Sequence, residues 1–224
     1  MAFIENSTSF NIKIKKSNPT EIQVMMQDSH LSDGTFVVVD VETTGLSPAE
    51  DRITEIAMMK VKNGVLLDEF STLVNPLVTI PASITNLTGI DNLMVADAPT
   101  AREVAPTIAE FLGNSVFVAH NAQFDWGFVT YTAMRERGIE INNPQLCTVK
   151  LSRIILPHLP SKSLGPVATA LNITIPERHR ASGDAYATAL VLVKFISYVQ
   201  RKHDIHLVSE LLRFQNGWLP AASK

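Results

Sequence analysis

The strongest constraint on this chain is a run of apolar, strand-forming residues that ends in two carboxylates. Phe36–Val39 is followed directly by Asp40, Val41 and Glu42. Because strand side chains alternate between faces, Asp40 and Glu42 would stand side by side at the tip of one strand. Two like charges this close repel each other unless a cation lies between them. The pattern therefore predicts a divalent metal site at the end of a buried strand.

Periodicity and turn signals predict five strands and five main helices. The strands are Thr35–Val41, Ile53–Lys62, Val65–Val74, Ser115–Ala119 and Gln145–Thr148. The helices are Thr100–Leu112, Gln123–Arg137, Val149–Leu156, Ser163–Leu171 and Ala181 to about Gln200. Asn63–Gly64 is a hairpin signal between the second and third strands. This order predicts an α/β fold with a central mixed five-stranded sheet flanked by helices.

The length of 224 residues is enough for one sizeable domain with short extensions. We expect an N-terminal extension over residues 1–34, a domain over 35–202 and a C-terminal tail over 203–224. In the extension, Phe10, Ile12 and Ile14 alternate with polar residues, which is typical of a strand. The tail is expected to hold one more short helix.

Bulk composition excludes several classes of protein. Hydrophobic residues make up 46% and charged residues 18%, with a formal net charge of -3, which disfavours a grip on nucleic acid by bulk electrostatics. The single cysteine, Cys147, excludes a disulfide framework and indicates a reducing, cytoplasmic compartment. We find neither a secretory signal nor an apolar run of about 20 residues, so no membrane partner is expected.

Two further segments place acidic and histidine side chains at predicted element ends. His120 to Asp125 lies where a buried strand gives way to a helix, and His179 to Asp184 precedes and enters another helix. If these ends gather at one edge of the sheet, four carboxylates and an imidazole share a cleft. Oxygen ligands of this kind select Mg²⁺ or Mn²⁺, and two such ions about 4 Å apart stabilise an in-line phosphoryl displacement.

These segments resemble the motifs of the DEDDh group of 3′–5′ exonucleases, also called DnaQ-like. That family has the RNase H-like fold and includes the epsilon proofreading subunit of bacterial DNA polymerase III. Its D-x-E-T-T-G-L pattern is present at Asp40–Leu46, I-x-E-I-A at Ile53–Ala57, H-N-A-x-F-D at His120–Asp125 and H-x₄-D at His179–Asp184. The resemblance covers about residues 35–200, and the motifs stand in the family's order.

The resemblance implies a role for each matching residue. Catalysis would fall to Asp40, Glu42, Asp125, His179 and Asp184, of which the four acids would hold two Mg²⁺ (or Mn²⁺) and His179 would be the general base. Asp40 would bridge both ions, Glu42 and Asp184 would bind the catalytic one, and Asp125 would hold the second. Substrate contacts would come from the backbone at Thr43, Thr44, Gly45 and Leu46, with Asn121 and Phe124 supporting the site or touching the substrate.

The implied activity is metal-dependent 3′–5′ hydrolysis of single-stranded DNA ends, which releases nucleoside 5′-monophosphates. A role in proofreading or repair would add a DNA polymerase subunit as a partner. The same chemistry on RNA ends is the first alternative, because no residue can be assigned to the 2′-OH contact. The second alternative is a catalytically silent nucleic-acid-binding subunit, which the complete set of acids and histidine disfavours.

Three residues in or near the motifs are open to a structural interpretation. His120 is expected to be a structural residue at the end of its strand, and Thr148 to cap the helix that follows. Glu55 fits two interpretations equally well, support of the metal site or simple pairing with an Arg or Lys.

Overall fold

A mixed five-stranded sheet forms the centre of the chain in the computed structural model, which describes residues 29–176 and 179–220. Its strands are β1 Thr35–Thr43, β2 Ile53–Lys62, β3 Val65–Leu73, β4 Val116–Ala119 and β5 Gln145–Cys147. They lie in the order β3–β2–β1–β4–β5. β1 is antiparallel to β2 and parallel to β4, which is parallel to β5. The predicted α/β class and mixed five-stranded sheet are confirmed.

The hairpin between β2 and β3 forms where the sequence predicts it. Asn63 and Gly64 both adopt positive φ, at 49° and 74°. A two-residue turn of this kind matches the right-handed twist of the flanking strands, and Asn-Gly adopts it with little strain. The turn sets the register of β2 against β3, and β2 in turn pairs with the whole length of β1.

Seven helices lie within the described ranges. They are α1 Ala82–Thr88, α2 Ala101–Leu112, α3 Ala122–Arg137, α4 Thr148–Ile155, α5 Leu164–Ala170, α6 Ala181–His203 and α7 Val208–Phe214. The five main helices predicted from the sequence are confirmed, with ends that differ by at most three residues. None of the helices in these ranges combines the length and the apolar character needed to cross a membrane.

Helices cover both faces of the sheet, which explains why β1 is apolar on both sides. Val38 packs on one face with Phe195 of α6, and Val37 packs on the other with Ile108 of α2 and Phe128 of α3. All five side chains are almost completely buried. A strand covered in this way is held rigidly up to its last residues.

Segments outside the predicted domain also contribute to its core. Leu31, Val208, Leu211 and Phe214 are buried in the same cluster as Val38, and His30 forms a β-bridge with Leu207. The short helix expected in the tail is α7. The bounds that divide the chain at residues 34 and 202 stay a prediction, and the strand expected over Phe10–Ile14 lies outside the described residues.

Candidate active site

The carboxylates of three residues meet at one edge of the sheet. Asp40 and Glu42 lie two apart near the end of β1, and Asp184 lies in the first turn of α6. Each can offer one oxygen so that the three oxygens all lie within 4.8 Å of one another. This spacing allows one cation to contact all three acids.

Asp125, in the first turn of α3, lies against the backbone of β1. It is 4% exposed, and its Oδ1 accepts a hydrogen bond of 3.2 Å from the backbone N–H of Val41. Val41 stands between Asp40 and Glu42, so Asp125 lies beside the carboxylate pair. Among the described residues, the cluster whose oxygens all lie within 4.8 Å of one another consists of Asp40, Glu42 and Asp184 and does not include Asp125.

The close packing of these acids raises their affinity for protons. Burial, followed by the charges of Asp125, Asp184, Glu42 and Glu55, raises the pKa of Asp40 well above its usual range. Burial and the charges of Asp184 and Glu55 raise the pKa of Glu42 to about 8, although nearby Arg180 opposes the shift. Burial also raises the pKa of Asp125 to about 8, although hydrogen bonds from backbone N–H groups oppose this shift. At neutral pH, where ordinary carboxylates are ionised, this site therefore favours either a bound proton or a bound cation.

Glu55 connects β2 to the start of α6. Its carboxylate is 3% exposed and accepts hydrogen bonds from Arg180 Nη2 at 2.7 Å and from Arg180 Nε at 3.1 Å. It also accepts one of 2.9 Å from the backbone N–H of Ala181, the first residue of α6. The pairing of Glu55 with an arginine is therefore confirmed, and the same carboxylate binds the first residue of the helix that carries Asp184.

His179 stands at the outer side of the acidic cluster. The residue is exposed, adopts a positive φ of 64° and donates a backbone hydrogen bond of 3.4 Å to Asp184 Oδ2. A positive φ is uncommon for a histidine and favours a local backbone bend. The bend ends at Arg180, whose side chain is bound to Glu55.

The loop after β1 is held by its own side chains. Thr43 Oγ1 donates to the carbonyl of Gly45 at 2.6 Å, and Thr44 Oγ1 donates to Asp51 Oδ1 at 3.2 Å. A Cβ at Gly45 would overlap the Asp51 carboxylate, so a larger residue here would displace that side chain from its hydrogen bonds to Thr44 and Ser47. The buried threonine side chains leave only their backbone for the expected substrate contact, whereas Leu46 is 83% exposed.

Two other expected substrate residues lie at the start of α3. Asn121 precedes the helix with a positive φ of 81° and is exposed. Phe124 is half-buried, and its ring centroid lies 5.0 Å from that of Phe128. Both therefore lie within four residues of Asp125, in the segment where α3 begins.

His120 is a structural residue, as expected. Its Nδ1 lies 2.8 Å from Thr148 Oγ1, and its Nε2 lies 2.8 Å from the carbonyl of Lys162. Burial lowers the pKa of His120, so the ring is neutral at neutral pH. The expectation that Thr148 caps the following helix is wrong, because Thr148 is its first residue and bonds to His120 instead.

Comparison with known proteins identifies relatives of this chain. The RNase_T family model, described as exonuclease, matches residues 37–192. DNA polymerase III subunit epsilon of Aquifex aeolicus is 37% identical over 202 residues, which are 90% of this chain and 98% of that protein. DNA polymerase III PolC-type of Clostridium perfringens is 45% identical over 179 residues, 80% of this chain. This chain spans only 12% of that relative's length.

Solved structures similar to this chain are also exonucleases. Exonuclease X in complex with 5′ overhanging duplex DNA is 27% identical, covers 79% of this chain and 99% of its own, and superposes with a TM-score of 0.62. E. coli Exonuclease I in complex with a dT13 oligonucleotide covers 77% of this chain and 43% of its own, with 19% identity and a TM-score of 0.68. The predicted RNase H-like fold is confirmed.

Proposed function

The chain belongs to the RNase_T exonuclease family, and we propose that it is a metal-dependent 3′–5′ exonuclease. It removes nucleoside 5′-monophosphates from the 3′ ends of single-stranded DNA. The observation that carries this proposal is the cluster of Asp40, Glu42 and Asp184, whose oxygens lie within 4.8 Å of one another. Three adjacent carboxylates do not stabilise a fold, because each one raises the free energy needed to ionise the others.

The donor set fits two hard cations. Asp40, Glu42 and Asp184 would hold one Mg²⁺ or Mn²⁺, and Asp40 with the neighbouring Asp125 would hold the second. The free cysteine, Cys147, is buried in the hydrophobic core, so it offers no sulfur ligand here. When bound, such ions stabilise the attacking and leaving oxygens of phosphoryl transfer.

The remaining residues bind substrate and move a proton. The exposed side chain of His179 takes a proton from the attacking water, and the backbone hydrogen bond from His179 to Asp184 places this residue next to the acidic cluster. The backbone of Thr43 to Gly45 lies along the terminal nucleotide, and the exposed side chain of Leu46 packs against its base. The rigid, internally bonded loop fixes this position before substrate arrives.

Single-stranded DNA is the favoured substrate because of the relatives. One similar structure is a DNA complex of Exonuclease X, and the Aquifex relative is a subunit of DNA polymerase III. We propose by analogy that this chain serves proofreading or repair and that a DNA polymerase subunit is its partner. RNA remains the competing substrate, since both polymers present the same scissile phosphodiester.

The test is an assay of the pure protein on chain-matched DNA and RNA oligonucleotides labelled at the 5′ end. We expect release of mononucleotides from the 3′ end, faster on DNA, only when Mg²⁺ or Mn²⁺ is present. Asp40→Ala and Asp184→Ala abolish this release. Glu69→Ala, which removes an exposed carboxylate of β3, is the matched control and retains it. Activity retained by either site variant contradicts the metal assignment. Faster hydrolysis of the RNA oligonucleotide than of the DNA oligonucleotide shows that RNA is the preferred substrate.

A further inference from the structure

A groove beside the acidic cluster is not used by the chemistry described above. We propose that it binds the phosphodiester backbone of the substrate strand upstream of the scissile bond, with Lys150 and Arg153 against its phosphates. This inference rests on the proposed exonuclease function and adds to it the path of the strand. We call it the β5 groove, and the residues used here to define it are Asn121, Gln123, Gln145, Lys150, Arg153 and Gln215.

The β5 groove opens at the same edge of the sheet as the acidic cluster. It has a volume of about 460 Å³ and is lined by the residues that follow the carboxyl end of β4, by both ends of β5 and by the first turns of α4. One wall, Asn121–Gln123, continues into the helical turn that carries Asp125. Four residues of helix span about 6 Å, so the groove begins close to the cluster. A strand whose last phosphodiester lies at the acids therefore reaches the groove within its next nucleotides.

The charges of the β5 groove are all positive. Lys150 and Arg153 are exposed and stand one turn apart on α4, and the other polar side chains that line the groove are amides. Lys150 Nζ donates to Asn216 Oδ1 at 3.1 Å. Among the described residues, neither cation has a carboxylate within ion-pair distance, unlike Arg180 and Arg135. The net charge of the chain is -3, so the molecule as a whole does not attract a polyanion. The two uncompensated cations of the groove provide that attraction locally.

The floor of the β5 groove is already formed. The side chain of Gln215 accepts a hydrogen bond from the Cys147 backbone N–H and donates one to the Gln145 carbonyl, both at 2.8 Å. The Gln215 amide thus occupies the backbone N–H and carbonyl groups of β5 to which another strand would bind. A further strand therefore cannot pair with this part of β5. The groove is left for a ligand that binds through side chains, as a sugar–phosphate backbone does.

The test compares substrates with and without upstream nucleotides. The p-nitrophenyl ester of thymidine 5′-monophosphate has none, and dT10 and rU10 have nine each. For Lys150→Ala/Arg153→Ala we expect the ratio of kcat/KM on dT10 to kcat/KM on the ester to fall about 10-fold, as two charged contacts predict. The salt dependence of dT10 affinity should weaken as well, because two phosphate contacts are lost.

The control is Lys62→Ala/Lys202→Ala, which removes the same charge from the far ends of β2 and α6. It should leave the ratio at the wild-type value. An equal fall in both double variants, or no fall in either, overturns the groove assignment. A fall on dT10 without one on rU10 overturns the phosphate contact, since both strands share that backbone.

Failure of the proposed function would be recognised separately. A wild-type protein that hydrolyses neither the ester nor the oligonucleotides refutes the exonuclease activity. The groove is then judged by fluorescence anisotropy with labelled dT10, for which the Lys150→Ala/Arg153→Ala variant should bind about 10-fold more weakly than the Lys62→Ala/Lys202→Ala control. Equal affinities overturn the inference.

Discussion

Replacing Glu42 by glutamine should stabilise the metal-free protein, although it would remove one ligand of the proposed metal site. Burial and the charges of Asp184 and Glu55 raise the pKa of Glu42 from its usual 4.5 to about 8. Between these two values the folded protein holds a proton that the unfolded chain has released. The unfolded state then binds fewer protons, so the free energy of unfolding falls as the pH rises through this window.

The magnitude follows from the shift. One pKa unit corresponds to about 1.36 kcal/mol, which sets an upper limit of about 5 kcal/mol for Glu42 at pH 8. Because the side chain is partly in contact with water, we take about 2 kcal/mol as the expected effect. Glutamine has nearly the same shape but no charge to desolvate. In EDTA at pH 8 the Glu42→Gln variant should therefore melt about 4–8 °C above the wild type.

Thermal unfolding followed by circular dichroism, in EDTA at pH 5 and pH 8, measures this difference. At pH 5 the two proteins should melt within about 1 °C of each other, because Glu42 is then protonated in the folded wild type. Excess Mn²⁺ at pH 8 should raise the melting temperature of the wild type more than that of the variant. Glu69→Gln, on the exposed strand β3, is the control and should show no such pH dependence. A Glu42→Gln variant that is no more stable than the wild type at pH 8 in EDTA refutes the reasoning.

Three further substitutions test separate parts of the site and its support. His179→Ala should lower the single-turnover rate constant by about 10²- to 10⁴-fold, as loss of a general base does, and a change below threefold removes His179 from that role. Glu55→Gln should lower the free energy of unfolding by about 3 kcal/mol in urea titrations, because the Arg180 guanidinium loses its buried charge partner, and a loss under 1 kcal/mol contradicts the importance of this pair. Gln215→Ala should cost about 2 kcal/mol by the same method, because two backbone groups of β5 lose their hydrogen bonds, and an unchanged midpoint shows that water replaces them.

Local sequence was sufficient to predict most of the fold. The alternation and apolar character of β1, the Asn63–Gly64 turn and the glycine after α3 each specify their structure within a few residues. Ends that depend on tertiary contacts were predicted less well. β1 extends beyond the predicted end at Val41 to Thr43, because Glu42 lies opposite Glu55 of β2 in the sheet. α6 extends beyond the predicted end near Gln200 to His203 and ends there, because the next residue, Asp204, adopts a positive φ.

The contacts that support the candidate site cannot be predicted from local sequence. Glu55 and Arg180 are 125 residues apart, and Gln215 lies 68 residues from Cys147. No periodicity or turn signal connects such pairs, since only the packing of distant elements brings them together. The sequence predicts a structural role for His120, but for the same reason it does not identify Thr148 as the partner of His120.

The central claim is that acids distant in sequence converge to hold divalent cations, and crystallography with Mn²⁺ tests it most directly. An anomalous-difference map from crystals grown at pH 8 with excess MnCl₂ should contain a peak about 2.1 Å from oxygens of Asp40, Glu42 and Asp184. A second peak should lie between Asp40 and Asp125. Manganese bound elsewhere on the protein, with no peak at this edge of the sheet, would contradict the account.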